Sequence, residues 1–302
     1  MSIISFVSFL MIPLRTYLLL WVWAGLACCK GDKPSPQTEE PPSFELQTAG
    51  IINVNAINEA SGLAASYTNP TMLWTHNDSG DKNRVFLMNN QGNWQATYTM
   101  EGCQNIDYED IASLKTPTQN YVFVADIGDN DAVRNQHIIY KFKEPVFAEN
   151  TTDFVIKNIE KITFRYEDSP HDAECLMIDP LTQDLYVVTK REARSRVYVL
   201  AYPQSTGAEN IAKFITELPF NYVTAGDISG DGQQILVKNY GQVFYWKKAL
   251  GQTLAQTLQQ SPANLTYRSE TQGEAICWAS NGQDYYTTSE GQNQPLYFYK
   301  KK

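Results

Sequence analysis

The sequence predicts an all-β protein that is built from a repeated sheet. Its composition favours strands, because aromatic residues are frequent (12%, with 18 Tyr in 302 residues) and charged residues are few (19%). Short apolar segments alternate with Asn-Gly, Asp-Gly and Ser-Gly turns. The best helical candidate, residues 247–260, has the character of a loop insertion. A third observation, a recurring short motif, sets the length of the repeat.

The recurring motif is a polar residue, one spacer and an apolar residue that opens a short strand. Its first residue falls at Ser61, Glu109, Glu174, Gly226 and Glu274, so the steps are 48, 65, 52 and 48 residues. A second and a third strand follow each copy, and residues 162–166 provide a fourth strand in one unit. Repeats of this length with four strands each are typical of β-propellers.

The two ends of the repeat region complement each other. The last unit ends at Lys302 one strand short, and residues 44–47 form a strand that belongs to no unit of its own. Pairing these ends would remove the exposed sheet edges. The sequence therefore predicts a five-bladed β-propeller over residues 44–302, closed by an N-terminal strand. A six-bladed propeller is the alternative, with the extra unit inside the 65-residue step.

Residues 1–29 have the pattern of an export signal. An apolar run from Thr16 to Ala27 follows Arg15, and Cys28 and Cys29 come directly after it. The segment before Cys28 is similar to a bacterial lipobox, so Cys28 is predicted to carry a lipid, with Cys29 as the alternative. Residues 30–43 are rich in proline and form a predicted tether. We expect an exported protein of the cell envelope that is anchored to the membrane by its lipid alone.

The formal net charge of −9 disfavours nucleic acid as a partner. We expect a monomer that binds a small molecule, glycan or peptide at the mouth of the propeller. Beyond the signal the cysteines are Cys103, Cys175 and Cys277, and their spacing does not match a zinc site. Buried, small side chains are the simplest interpretation of all three.

The first strand of each propeller blade lines the central channel, so equivalent positions form a ring. Carboxylates that converge in a channel repel one another, and a hard dication is the simplest compensation. Oxygen ligands without His or Cys favour Ca²⁺. The sequence thus predicts a calcium site formed by Ser61, Glu109, Glu174, Gly226 and Glu274. Two alternatives stay open: Asp227 in place of Gly226, or a ring that only accepts backbone hydrogen bonds.

The second strands end in polar loops that would meet above the ring. Lys190, Arg191 and Lys238 are candidates for binding a phosphate or carboxylate of a substrate. His76, Asp78 and Asp126 are the candidate catalytic bases or ligands, and His171 is a further candidate base. Each loop taken singly also reads as an ordinary turn.

The domain resembles a family of bacterial secreted or lipoprotein β-propellers that has no assigned reaction. The shared segments are Ser61-Gly62-Leu63, His76 to Asp81, Glu109 to Ala112, Asp126 to Asn130, Asp172 to Glu174, Thr189 to Glu192 and Gly273 to Ala275. A looser similarity is to calcium-activated nucleotidases, whose ring reads Ser, Glu, Glu, Ser, Glu around a Ca²⁺, and to calcium-dependent phosphotriesterase-like propellers. Gly226 departs from that ring.

These resemblances imply a calcium-dependent hydrolase of phosphoesters or related esters. The competing expectation is a non-catalytic surface module, in which calcium is structural and the loops bind a glycan, a peptide or a protein. Several loops at the mouth are acidic, whereas binding a phosphate favours cationic side chains. This second expectation therefore stays open.

Overall fold

The computed structural model describes residues 40–302. The predicted export signal (1–29), with Cys28, and residues 30–39 of the predicted tether lie outside this range. The described chain consists mainly of strands, and the first of them is β1 (Phe44–Ile51). The all-β prediction is therefore confirmed for this part of the protein.

The remaining strands pair as antiparallel groups that follow one another along the chain. Their bounds are β2 (Ala60–Ala65), β3 (Met72–Asn77), β4 (Arg84–Asn89) and β5 (Trp94–Met100); β6 (Tyr108–Lys115), β7 (Asn120–Asp126), β8 (His137–Lys143), β9 (Asp153–Ile156) and β10 (Glu160–Tyr166); β11 (Ala173–Ile178), β12 (Leu185–Thr189), β13 (Arg196–Leu200) and β14 (Asn210–Glu217); β15 (Val223–Ile228), β16 (Gln234–Asn239), β17 (Val243–Lys247), α1 (Leu254–Leu258) and β18 (Ala263–Asn264); and β19 (Ala275–Trp278), β20 (Tyr285–Thr288) and β21 (Pro295–Lys301).

Two parallel pairings cover outer edges of the sheets. Strand β9 pairs with β5, and β10 pairs with β14 at Asn210 to Ala212, which joins two groups into one eight-stranded sheet. The sequence pattern of antiparallel hairpins did not predict these crossings. They protect edges that would otherwise present unpaired backbone groups.

The first strand of each group lies innermost. Strand β2 contacts β6, and the contacts continue through β11, β15 and β19 back to β2. Buried carboxylates tie some of these strands together: Asp110 Oδ2 accepts the Leu176 N–H, and Asp227 Oδ2 accepts the Trp278 N–H, both at 2.8 Å. These bonds hold neighbouring innermost strands against each other.

The apolar core is divided into clusters that lie between neighbouring groups. Trp74 and Tyr98 pack with Tyr108 and Val124 in one cluster, between the group of β2 and that of β6. The other clusters repeat this arrangement around the molecule. Burial of both faces explains why the inner and middle strands are almost continuously apolar.

The predicted pairing of the two ends is confirmed. Strand β1 runs antiparallel to β21, with Phe44 opposite Lys301 and Leu46 opposite Tyr299. The Phe44 ring is buried and meets Tyr285 edge-on, with 4.8 Å between ring centroids. The N-terminal strand thus completes the sheet of β19, β20 and β21.

The short helix α1 lies inside the segment expected to be a helical insertion. Thr253 caps it by accepting the Gln256 N–H, and the Gln256 side-chain oxygen accepts the Thr253 N–H in return. Across residues 40–302, none of the helical segments has the length and hydropathy required to cross a bilayer.

Replacing Phe44 with Ala is expected to lower the free energy of unfolding by about 3–5 kcal/mol, because it empties a buried aromatic site. The exposed Gln47 on the same strand is the matched control, and Gln47→Ala should change stability by less than about 0.5 kcal/mol. Urea unfolding followed by circular dichroism measures both. Equal effects of the two substitutions would contradict a closing role for β1.

Candidate functional site

The innermost strands begin with a shared irregularity. In β2, β6, β11 and β15, the pairing with the second strand skips one residue, and the skipped residues are Ser61, Glu109, Glu174 and Thr224. Glu274 directly precedes β19, whose first pair joins Ala275 to Thr288. An unpaired extra residue in a strand re-aims its side chain. These residues therefore form the equivalent set, which we call the ring positions.

The prediction of Gly226 as a ring position is corrected by this register. Gly226 pairs with Val237, as the apolar anchors Leu63, Ile111 and Leu176 pair with the matching residues of their own second strands. A Cβ on Gly226 would lie 2.9 Å from Cys175 Sγ. Close approach of β15 to β11 thus requires glycine where the other copies have an anchor. The sequence pattern took Ile228 as the apolar anchor of this copy, so the predicted ring position fell two residues too late, at Gly226 and not at Thr224.

The two ring hydroxyls connect adjacent inner strands. Ser61 Oγ donates to the Glu109 carbonyl at 3.0 Å, and Thr224 Oγ1 donates to the Gly273 carbonyl at 3.1 Å. Both side chains are buried. Their hydroxyl protons are thus engaged by the backbone of the next ring segment.

Lys190 lies between two of the ring glutamates. Its ammonium donates to Glu174 Oε1 and lies 3.6 Å from Glu274 Oε1. The Tyr240 hydroxyl also donates to Glu274. Burial opposes the charge on Lys190, but Glu174 outweighs it and raises the pKa of the ammonium. A tethered cation therefore balances this side of the ring.

The other two predicted substrate-binding cations also have protein partners. Lys238 is fully buried, and its ammonium donates to the Gly273 carbonyl and to Thr224 Oγ1; burial lowers its pKa to about 8. Arg191 is 46% exposed and donates to Asp172 Oδ2 at 2.5 Å and to Asn130 Oδ1. Arg191 Nη1 has no hydrogen-bond partner within residues 40–302, so one face of this side chain stays open to solvent.

Next to Glu174 along the ring, three carboxylates converge, and none of them forms an ion pair with a described Lys or Arg. Oxygens of Asp78, Asp107 and Glu109 lie within 4.8 Å of one another. Asp78 follows β3, and Asp107 precedes the ring position Glu109 by two residues. A Cβ on Gly128 would lie 2.2 Å from Glu109 Oε1, so the backbone after β7 closes tightly over this group. We call these three residues the acidic cluster.

The carboxylates of the acidic cluster repel one another, and the pKa of each is raised. Glu109 is 4% exposed, and its carboxylate makes no hydrogen bond to any described residue. Burial and then Glu174, Asp78 and Asp107 raise the pKa of Glu109 well above its usual range. Burial raises the pKa of Asp78 to about 6 and also raises that of Asp107. Hydrogen-bond donors or a cation would relieve this repulsion.

The structure separates the three candidate bases. His76 is fully buried, burial lowers its pKa to about 4, and its Nδ1 lies 2.9 Å from the Asn77 carbonyl. Asp126 is also fully buried and accepts the N–H groups of Ile106 and Asp107 at 3.2 Å, besides an ion pair with Arg134. Asp78 is the candidate that reaches the acidic cluster.

His171 belongs to a different network. Its Nδ1 lies 2.7 Å from Glu192 Oε1, and its Nε2 lies 3.1 Å from Asp168 Oδ1 and 2.8 Å from the Tyr198 hydroxyl. Burial by itself would lower the pKa of His171, but the hydrogen bonds to Glu192 and Asp168 outweigh it and raise the pKa. The pair of carboxylates therefore favours the imidazolium form.

Sequence reasoning missed Asp107 and Thr224 as parts of the site, and it placed Tyr240 in a polar loop above the ring without assigning it a role. Asp107 had a readable signal, because Asp107-Tyr108-Glu109 and Asp172-Ala173-Glu174 share an Asp-x-Glu pattern at the starts of β6 and β11. Thr224 became visible through strand register alone. Tyr240 lies in the turn between β16 and β17, where the sequence shows an ordinary polar turn.

Comparison with known proteins identified a structural similarity and no family. Neither a protein-family model nor a curated protein sequence matches this chain. The structure of a luciferin-regenerating enzyme is similar at 11% sequence identity, over 86% of this chain and 95% of that chain, with a TM-score of 0.44.

The His171 network predicts a pH dependence of stability. Because the folded pKa of His171 is raised, its contribution is fully present below the unfolded pKa of about 6.5 and is lost as pH rises through the folded pKa. His171→Gln keeps a polar side chain without titrating. The difference in unfolding free energy between wild type and variant should therefore shrink from pH 5.5 to pH 8.5, as measured by urea unfolding. A constant difference would show that the network does not hold an imidazolium.

Proposed function

We propose that residues 44–302 form a five-bladed β-propeller. The groups that begin with β2, β6, β11, β15 and β19 supply one blade each, and β1 completes the last blade. Contacts between successive innermost strands, returning from β19 to β2, support a ring of five. The 65-residue step that could have held a sixth unit contains β6 to β10, with β9 added to the preceding sheet.

We propose that the acidic cluster binds Ca²⁺. The observation that carries this proposal is Glu109, a buried carboxylate without a hydrogen-bond partner among the described residues, placed against Asp78 and Asp107. All the side-chain donors are carboxylate oxygens, which suit Ca²⁺ better than zinc or copper. Lys190 already balances Glu174 and Glu274, so the favoured position is the edge of the ring that holds Glu109 and not its centre.

The activity that we propose for this site is hydrolysis of a phosphoester or related ester. When bound, Ca²⁺ would supply Lewis-acid polarisation of a substrate oxygen. Asp78 is half-buried at the cluster and is placed to take a proton from an attacking water. The open face of Arg191 is placed to contact an anionic group of the substrate.

The corrected ring strengthens the resemblance to calcium-activated nucleotidases. With Thr224 in the fourth position, the ring reads Ser, Glu, Glu, Thr, Glu, so a hydroxyl stands at the position for which the sequence pattern predicted Gly226. This pattern supports a calcium-dependent hydrolase by analogy.

A non-catalytic surface module is the second candidate. One observation favours it: Lys190, Lys238 and Arg191 all bind acceptors of the protein itself, which leaves less positive charge for a phosphate. In this case Ca²⁺ would hold the inner strands together, and the mouth would bind a glycan, a peptide or a protein.

Glu109→Gln tests the calcium site. In wild type, Ca²⁺ at a hundredfold excess over its Kd should raise the free energy of unfolding by about 2.7 kcal/mol. The variant should lose this gain, because the neutral amide contributes no charge to the cation. The exposed Glu101 is the matched control, and Glu101→Gln should behave like wild type. Calorimetric titration and urea unfolding measure the effect, and unchanged Ca²⁺ binding in Glu109→Gln would refute the site.

The same two variants separate the candidate functions. A panel of nitrophenyl phosphates, lactones and nucleotides should include a substrate whose Ca²⁺-dependent hydrolysis falls by about a hundredfold or more in Glu109→Gln, since a Lewis acid contributes several kcal/mol. If Ca²⁺ binds and stabilises the protein but none of the panel is hydrolysed, the surface module is the better conclusion.

We also propose that the protein is exported and anchored in the cell envelope by a lipid on Cys28. The apolar run after Arg15 and the small residues before Cys28 support this proposal. Cys28→Ser should abolish incorporation of labelled palmitate and release the protein from the membrane fraction, whereas Cys29→Ser should not. The reverse result would assign the lipid to Cys29, and label in neither wild type nor variants would exclude a lipid anchor.

A further inference from the structure

The acidic cluster has a neighbour that shares one of its members. Oxygens of Glu109, Asp172 and Glu174 also lie within 4.8 Å of one another. The two groups are built alike, because Asp107 and Glu109 at β6 occupy the same places as Asp172 and Glu174 at β11. In each group the Asp-x-Glu pair is joined by a carboxylate from the preceding group of strands, Asp78 in the first and Glu109 in the second. Glu109 thus faces both positions.

The two glutamates of this second group have carboxylate oxygens that no described residue binds. Glu174 is 4% exposed, and its Oε2 is buried without a hydrogen-bond partner in the described chain. Glu174 Oε1 is the oxygen bound by Lys190, so the two oxygens of one carboxylate differ in environment. The Glu109 carboxylate also lacks a hydrogen bond to residues 40–302. Two buried glutamates with unbound oxygens therefore belong to the same group of converging carboxylates.

The carboxylates of the second position are paired with more cationic side chains than those of the acidic cluster. Asp172 accepts the Asp129 N–H at 2.9 Å and the Arg191 guanidinium, and Lys190 binds Glu174. These cations reduce the local negative charge, whereas no Lys or Arg forms an ion pair with Asp78, Asp107 or Glu109 in the described part of the protein. A cation at the second position should therefore bind more weakly than one at the acidic cluster.

We propose that this site holds two adjacent divalent cations bridged by Glu109, one bound by Asp78, Asp107 and Glu109 and the other by Glu109, Asp172 and Glu174. The inference rests on the proposed calcium site and extends it. A shared carboxylate is typical of paired metal sites with a separation of about 3.5–4 Å, which clamp the oxygens of a phosphoryl group. The pairing favours a phosphoester over a lactone as the substrate class.

In that reaction a water oxygen bonds to phosphorus as the bond from phosphorus to the leaving oxygen breaks. The proton released by the water passes to the Asp78 carboxylate, which then gives it up to the departing alkoxide, so atoms and charge balance without an oxidant or further reactant.

Stoichiometry and spectroscopy test the pairing directly. Calorimetric titration of the full-length protein with Ca²⁺ should give two ions per chain, the second bound more weakly. Electron paramagnetic resonance of the Mn²⁺-loaded protein should show two exchange-coupled ions. Asp107→Asn and the near-isosteric Glu174→Gln should each reduce the stoichiometry to one ion and abolish the coupling, while Glu101→Gln should retain both.

A single Ca²⁺ per chain in wild type, or two Mn²⁺ ions without coupling, would overturn the pairing. If the protein binds one Ca²⁺ and hydrolyses an ester, the pairing fails while the proposed function stands. If it binds two coupled ions and hydrolyses nothing, the hydrolase proposal fails while the pairing stands. Should Glu174→Gln fail to fold, the wild-type stoichiometry and coupling decide the question without it.

Discussion

The convergence of carboxylates at the starts of the innermost strands is the constraint on which the rest of this structure depends. Ring geometry brings Glu109, Glu174 and Glu274 towards one another in a place that is largely withdrawn from water, where like charges interact strongly. Side chains from neighbouring elements reduce that repulsion. Lys190 follows the second strand β12, Tyr240 lies in the turn between β16 and β17 of the next group, and each side chain is long enough to reach the ring.

The ring carboxylates are not equally supplied with cations and hydrogen-bond donors. The position that lacks them is the candidate site. Glu174 and Glu274 receive an ammonium and a phenol, and the two ring hydroxyls are used to join backbone segments. Glu109 receives neither and instead faces two aspartates. A purely structural ring of hydrogen bonds would supply each carboxylate with donors. The residue left without them marks the place where a ligand from solution has most to contribute.

Much of the fold could be predicted from the sequence because the repeats are regular and one end lacks a strand that the other supplies. The pairing of β1 with β21 and the short helix near residue 254 followed from that pattern. Gly226 was wrongly predicted as a ring position. Close backbone packing requires glycine where the other copies have an apolar anchor, so a search for the anchor selects Ile228 instead. Lys190 and Lys238 also reach Glu274 and Gly273, which lie at the start of another group of strands, so the local sequence carries no signal of those contacts. Asp107 was readable, since its Asp-x-Glu pattern recurs at Asp172.

The pairing of β1 with β21 also has a consequence for biogenesis. Of the described strands, β1 is the first to be synthesised and β21 is the last, so the sheet that they share cannot form until nearly the whole chain is available. Contacts of such large sequence separation close slowly, because a long loop must be ordered before they form. Until then β1 exposes Phe44 and a free edge to other chains. A protein that folds after export would need protection of this strand during the delay.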